Sequence, residues 1–392
     1  ELHHIYRTRD HLHVSQEQRK HMKYQKGRDL FNQELDVVFY DVTTFYFDSD
    51  KEDGFREKGF GKDGKIGNTI VVFGMLIDQN KQPVGYEVYQ GTQYEGHTFG
   101  DAIKRLKKKY QIKKVICVAD SGMMNHHNIT QTQEEGYEYI IGERLKSISH
   151  AKQNEILDLE NYQIIKIKDE DSNKEIEIKY YITDYENKKL ISTYSSKRAA
   201  RDKAQREEKI EKAKRFLKNP AQLEKKAKVH FLKKQAKNTY ILDEEKIKNS
   251  ERFDGFMCVA TNNKNLTVAQ ILDAYKQLYK IEQSFRNFKT FLETRPMYHW
   301  TQKRILGHLA LCYLCFTLLN YLQLLLRQKR MPLSENQIRK SLMKMQISLI
   351  NQNQKEYYLT SKTPEDAEKI LKALHIRNLP DLIPKESIGI YT

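Results

Sequence analysis

"KKVICVADSGMMN", Lys113 to Asn125, runs five apolar residues into an acid and then into Ser and Gly. A continuous apolar run bounded by a turn signal is the mark of a central strand covered on both faces. An acid at the carboxyl end of such a strand stands where open α/β sheets bind ligands. The plainer role for Asp120 is to cap the next helix, with Ser121 and Gly122 making the turn. A second run, "LDVVFYDVTTFYF" from Leu35 to Phe47, is dense in β-branched and aromatic residues, lacks Gly and Pro, and reads as strand. By alternation Leu35, Val37, Phe39, Asp41, Thr43 and Phe45 share one face, so Asp41 occupies an apolar place. Two carboxylates on neighbouring strands repel each other unless a cation or a proton neutralises them.

The rest of the chain narrows what such a site would serve. Its 392 residues allow one large domain with an insertion, or two or three smaller ones. Lys and Arg number 68 against 52 Asp and Glu, a formal net charge of +16, which favours a polyanionic partner such as nucleic acid over a membrane surface. Four cysteines in apolar contexts do not make a disulfide framework, and a reducing cytoplasm is the expected compartment. The stretch from Glu1 to Lys26, rich in His, Arg and Gln, is no signal peptide, and an opening Glu1 rather than Met suggests a fragment or processed form. Ile305 to Leu326 is long enough to span a bilayer. It carries His308, Asn320 and Gln323 between Arg304 and Arg327, however, and is read as a buried core helix.

Along the chain, Thr69 to Ile77 and Pro83 to Tyr89 form a hairpin around "DQNK", Phe99 to Tyr110 has helical spacing, and Tyr137 to Gly142 is a further strand. From about Glu143 the texture changes to strand-like pieces. A charged tract follows, Lys197 to Lys237, with 16 Lys and Arg against 5 acids, helical in propensity and broken at Asn219 and Pro220. Strand character returns at Phe253 to Asn262. A long amphipathic helix with Thr267 as N-cap comes next. On it Tyr275, Leu278, Glu282 and Lys289 fall on one face at 3.6 residues per turn, with Ile281 and Phe285 as apolar neighbours. Glu282 could simply pair with Arg286 on a solvated edge. Two earlier acids in want of a third ligand weigh against that.

"FYDVTTFYF", "VADSGMMN" and "YKQLYKIEQSFRNFK" resemble the three acidic motifs of the insertion-sequence-4 family of bacterial DDE transposases, whose third motif is Y-x2-R-x3-E-x6-K. The likeness runs from about Asp36 to Leu326 and includes "LETRPMYHW" after the signature helix. It places Asp41, Asp120 and Glu282 on the catalytic and metal-binding acids and Tyr275 and Lys289 on the flanking signature. The signature Arg is Leu278 here, a departure from the pattern, so its phosphate contact is either lost or supplied by another residue, with Lys280 and Arg286 as candidates. It implies an α/β, ribonuclease H-like mixed sheet flanked by helices, with a β-rich and helical insertion between the second and third acids. The corresponding organisation is an N-terminal remainder (1–34), a first core part (35–142), the insertion (143–252), a second core part bearing Glu282 (253–328) and a helical tail (329–392).

The function so implied is metal-dependent cleavage at element ends followed by strand transfer into target DNA. Two Mg²⁺ ions, replaceable by Mn²⁺, are the expected cofactors, and Asp and Glu oxygens suit them. Asp41 is expected to bridge the pair, while Asp120 and Glu282 each complete one site. DNA is the expected partner, held by Tyr275, Lys289 and Arg286 and by a phosphate track at Lys225, Lys226 and Lys228, with a homodimer on DNA and no membrane. For an aromatic that holds a flipped base, the candidates in the insertion are Tyr180, Tyr181 and Tyr194. A metal-dependent nuclease of the same fold and an inactive DNA-binding derivative are the alternatives.

Overall fold

The computed structural model describes residues 37–59, 67–93, 98–100, 116–120, 126–168, 175–218, 230–236, 239–294 and 296–390, with positions 4, 7, 8, 102 and 104. The chain divides into two compact units, Glu1–Gln111 with Tyr279–Thr392, and Ile112–Leu278.

The first unit begins with an antiparallel set. β1 (Val37–Tyr46) pairs with β2 (Thr69–Asp78), and β2 with β3 (Pro83–Tyr89). β2 is buried at every position and β1 from Val38 to Phe45 except at Asp41, so both faces are covered and neither strand shows the polar alternation of a surface sheet. The β2–β3 turn is closed by Asp78, whose carboxylate accepts from the backbone N–H groups of Asn80 and Gln82 at 2.8 Å each.

In the second unit β4 (Ile116–Ala119) lies parallel to β5 (Glu138–Glu143), with α1 (His126–Glu134) between them in sequence. There follow α2 (His150–Leu157), β6 (Gln163–Lys168), β7 (Glu175–Tyr185), β8 (Lys188–Tyr194), α3 (Ser196–Lys218), α4 (Glu244–Glu251), β9 (Phe256–Thr261) and α5 (Val268–Lys276). The strands run in the order β4-β5-β9-β8-β7-β6, mixed in direction because only β4 and β5 are parallel. Pairing of β8 with β9 therefore makes β6 to β8 a continuation of the sheet that holds β4 and β5. At the start of α3, Gly255 donates to the Asp202 carboxylate at 3.0 Å and accepts from Ser195 N at 3.0 Å.

The chain re-enters the first unit with α6 (Tyr279–Arg286), a π-helical turn (Asn287–Phe291) and α7 (Gln302–Gln328). α8 (Glu335–Lys344), β10 (Ile347–Gln352), β11 (Lys355–Thr360), α9 (Glu365–Ala373) and β12 (Leu382–Pro384) complete it. α7 is long and apolar enough to cross a bilayer by length and composition. In the fold it is a packing helix: Tyr313 and Phe316 sit in the first unit's aromatic core, and Leu326 joins Leu333, Ile338, Ile370 and Ala373 in a second cluster.

Three expectations are corrected. The helix beginning at Thr267 keeps its capping box with Gln270 but stops at Lys276, and a new helix starts at Tyr279. Leu278 N turns back to Tyr275 O at 3.1 Å, the tightened last turn that closes a helix end. The charged tract is not helical throughout: Ser196–Lys218 is helix, but Leu232–Ala236 is a strand, paired with Thr239–Leu242. The tail, read as mixed helix and loop, contains a three-stranded meander, β10-β11-β12, turned at Asn353 and Gln354 with both φ values positive. Of the expected helix from Phe99 to Tyr110, residues 99, 100, 102 and 104 are helical and the others lie outside the described residues.

Gly255 has φ +84°, and a Cβ there would meet Tyr194, the Ala199 Cβ and the Ser195 carbonyl at 2.8 to 2.9 Å. Gly255→Ala is expected to destabilise the protein by more than about 1 kcal/mol, read as a lower urea midpoint with m unchanged. An unaltered midpoint would show that the junction of β9 with α3 tolerates a side chain.

Candidate active site

Asp41 sits in the middle of β1 and is half-buried between fully buried neighbours. Its Oδ1 accepts from Val42 N at 2.7 Å. In the antiparallel register Asp41 faces Met75, Thr43 faces Phe73, Met75 faces Tyr86, and Phe45 lies two residues on. Directly opposed residues share a face, so Asp41, Thr43, Phe45, Phe73, Met75 and Tyr86 all project to one side.

That side is the one α6 covers. Phe288 packs on Phe45 and Phe73 with centroids 5.8 and 5.1 Å apart, and Phe285 meets Phe73 edge-on at 6.4 Å. Phe316 of α7 closes on Phe288 at 5.7 Å, while Tyr86 stacks on Phe73 at 5.2 Å and meets Tyr313 at 4.5 Å. The other end of α6 is tied to the β2–β3 turn. Lys280 Nζ donates to Gln79 O at 3.0 Å, and Lys81 Nζ donates to Gln283 Oε1 at 2.6 Å.

These two anchorages fix the direction of α6. It runs from the turn at Gln79 to Lys81, beyond the Val38 end of β1, toward Phe45, and so passes the level of Asp41 between its fastenings. Glu282 is in its first turn, exposed, beside the buried Ile281, Ser284 and Phe285. A carboxylate there also complements the positive end of the helix dipole. Lys289 lies in the π turn, its ammonium 6.0 Å from the centroid of Phe45. π turns concentrate where a side chain must be re-aimed. This one is held by Asn287 Nδ2 donating to Glu335 Oε1 at 2.8 Å and by Thr294 Oγ1 donating to Phe288 O at 2.6 Å.

The other predicted residues fall as follows. Asp120 is exposed directly after β4, whose four residues are all buried. Burial pushes the Cys117 thiol of that strand well up from its ordinary range. Tyr275 is half-buried near the end of α5, and Leu278 follows the break, so the face expected to join Tyr275 to Glu282 along one helix is interrupted. Arg286 is exposed at the end of α6. Lys225, Lys226 and Lys228 lie outside the described residues. Among the described residues no three His, Cys, Asp or Glu side chains are grouped closely enough to hold a metal ion. The predicted acids are divided between the units, Asp41 and Glu282 in one and Asp120 in the other.

Sequence reasoning did not reach Lys81 and Gln283, which fasten the start of α6, nor the strap after the π turn. Met297 N donates to Tyr46 O at 3.2 Å, and Met297 bridges Phe47 in parallel. Beyond it Trp300 is exposed, with the guanidinium of the buried Arg56 5.7 Å from its ring. The only signal for these contacts was the density of polar and aromatic residues in "LETRPMYHW" and "DQNK".

The family described as "Transposase DDE domain" matches residues 32–318, and the chain belongs to that family. A comparison with curated proteins found no match. Among solved structures, a similar chain is that of the cryo-EM structure of a piggyBac transposase synaptic complex with hairpin DNA. Identity is 10% and the TM-score 0.42, with 87% of this chain and 52% of that one covered. The present chain thus spans about half the length of that transposase.

Phe288 is fully buried in contact with Phe45, Phe73 and Phe316. Phe288→Ala is expected to cost about 3–5 kcal/mol of stability and to speed hydrogen exchange of the amides from Ile281 to Phe291 ahead of those in β1 and β2. Equal acceleration in all three would show that α6 is not held by this contact in particular.

Proposed function

We propose that the chain is the catalytic region of a DNA transposase of the insertion-sequence-4 type, built on a ribonuclease H-like fold. It cuts DNA at the ends of a mobile element and joins the freed 3′-hydroxyl to target DNA, with paired ends held by a homodimer in the bacterial cytoplasm. The observation that carries this reading is α6, fastened at both ends across the face of β1 that bears Asp41, with Glu282 in its first turn between the anchoring Lys280 and Gln283. Family membership across residues 32–318 supports it.

Asp41, Asp120 and Glu282 are the residues that would hold two Mg²⁺ or Mn²⁺ ions, and hard carboxylate oxygens are the donors such ions take. When bound, the ions supply Lewis-acid stabilisation of the leaving oxygen and a lowered pKa for the attacking water or hydroxyl. The protein's own part is positioning. Lys289, whose ammonium lies 6.0 Å from the centroid of the Phe45 ring, holds a phosphate of the element end. Tyr275 makes a second contact with the DNA end. Arg286 takes the role left by Leu278, since Lys280 already donates to Gln79 O. Lys225, Lys226 and Lys228 follow the duplex backbone.

The test uses DNA from the edges of the encoding gene with Mn²⁺. Asp41→Ala, Asp120→Ala and Glu282→Ala are each expected to abolish cleavage and joining while DNA binding persists; cleavage surviving any one removes that residue from the site. Pre-cut ends joined to target separate a transposase from a nuclease. Lys289→Ala is expected to weaken end binding about tenfold, equivalent to about 1.4 kcal/mol, with metal affinity unchanged. Neutralising Lys225, Lys226 and Lys228 together is expected to lower the salt slope of log K by about 2 to 3, and an unchanged slope removes the track.

A further inference from the structure

The outer strands of this protein differ in how they are guarded. An exposed sheet edge offers a row of unpaired N–H and C=O groups, and folded proteins blunt it with lysines, proline or shortness. β6, outermost in the second unit's sheet, carries Lys166. β12, one edge of the C-terminal meander, is three residues long and ends on Pro384 between Asp381 and Lys385. β10, the other edge of that meander, reads Ile-Ser-Leu-Ile-Asn-Gln over six residues, without charge, proline or glycine. Five of the six are exposed, with Ile347 at 50% and Leu349 at 53%.

The register shows which groups look outward. Ser361 N donates to Gln346 O at 2.8 Å, one step beyond the Ile347–Thr360 pair. Gln346–Ser361 is therefore a hydrogen-bonded pair, and by the antiparallel alternation Ile347, Leu349 and Asn351 turn their N–H and C=O away from β11. Thr360 agrees with this phase, since its N–H points to the far side and donates to Asp381 O at 2.9 Å. Among the described residues nothing hydrogen-bonds to the outward groups of those three positions.

We propose that β10 is a self-association edge, on which the β10 of a second copy of this chain pairs antiparallel about a two-fold axis through Leu349. The geometry accommodates a second copy. With the axis at Leu349, Leu349 pairs with its own counterpart and Ile347 with Asn351, so every outward donor meets an outward acceptor. Residues opposed across the axis also share a face: Leu349 on Leu349, Ile347 beside Asn351, Ser348 beside Ile350. The strand is uncharged in a chain of net charge +16, so two copies can meet here without placing like charges opposite each other. For the same reason it brings no cation to a nucleic-acid backbone. A two-fold pairing closes on itself and yields a six-stranded sheet, not a filament. One strand pair buries far less than the roughly 1,000 Å² of a stable interface, so the edge by itself gives a weak, concentration-dependent dimer.

The inference stands on the edge geometry and not on the metal site, and its test needs neither DNA nor metal. In a Cys315→Ser background, which removes the exposed thiol among the four cysteines, Leu349→Cys brings two sulfurs together across the axis. The Cα atoms of such a pair lie about 5.5 Å apart, inside the disulfide range. Mild oxidation of the full chain is expected to give a disulfide-linked dimer as the major species for Leu349→Cys, and little for Leu382→Cys on the guarded edge. Leu349→Lys, at an exposed position that leaves the fold intact by circular dichroism, is expected to weaken dimerisation at least tenfold in sedimentation equilibrium. Cross-linking no better at 349 than at 382, or a monomer at all concentrations, overturns the proposal, as does a dimer indifferent to Leu349→Lys.

Discussion

The first unit depends on a ring stack. Phe45 of β1 and Phe73 of β2 present one apolar surface, and Phe288 lies on both of them while Phe316 closes over it. Each aromatic pair adds about 0.5–1.5 kcal/mol beyond its buried area, and four such rings in mutual contact make the position of the π turn stiff. α6 and Lys289 inherit that stiffness. At its other end α6 is held by polar contacts to the β2–β3 turn, whose own shape is set by the Asp78 carboxylate. A carboxylate on a helix fastened at both ends needs little reorganisation to do its work, which is the condition for a preorganised site.

The interruption after Lys276 has a physical cause in this arrangement. Ile271, Ala274, Leu278, Ile281, Phe285 and Phe288 recur at three and four residues, a single apolar stripe with no Gly or Pro, and local propensity favours one helix. The two halves of that stripe bury in different units, however, with the division falling between Leu278 and Tyr279. Tertiary burial overrides propensity at that joint. The segment that sequence comparison reads as one motif is therefore a junction: Tyr275 and Leu278 belong to one unit, Glu282 and Lys289 to the other.

Much of the scaffold was legible because its signals are local. Leu35 to Phe47 is strand by composition, and β1 spans Val37–Tyr46. The hairpin around "DQNK" and the Thr267 cap appear where turn and cap chemistry put them. Asp41 was visible as an acid in an apolar row, and Glu282 as an acid among helix-periodic hydrophobes. What sequence could not show are contacts between distant residues, such as Phe45 with Phe288 or Lys81 with Gln283. The C-terminal meander was missed because its strands are short and polar, and because its turn residues, Asn353 and Gln354, are not the Asn-Gly or Asp-Gly pair that announces such a hairpin. In the basic tract the charge run hid Leu232–Ala236, whose strand identity comes from pairing with Thr239–Leu242.

Carboxylates repel a polyanion, so in the proposed role the cations near Asp41 and Glu282 must be divided between holding the protein and holding the DNA. Lys280 and Lys81 are used inside the protein, each donating to the element it fastens. Lys289 is placed differently: its ammonium lies 6.0 Å from the centroid of the Phe45 ring. Arg286, on the same helix end and exposed, keeps the rigid five-donor fork that matches a phosphate better than an ammonium does. Arg286 stands at the end of the helix that the aromatic stack holds still, and the proposed phosphate contact is assigned there.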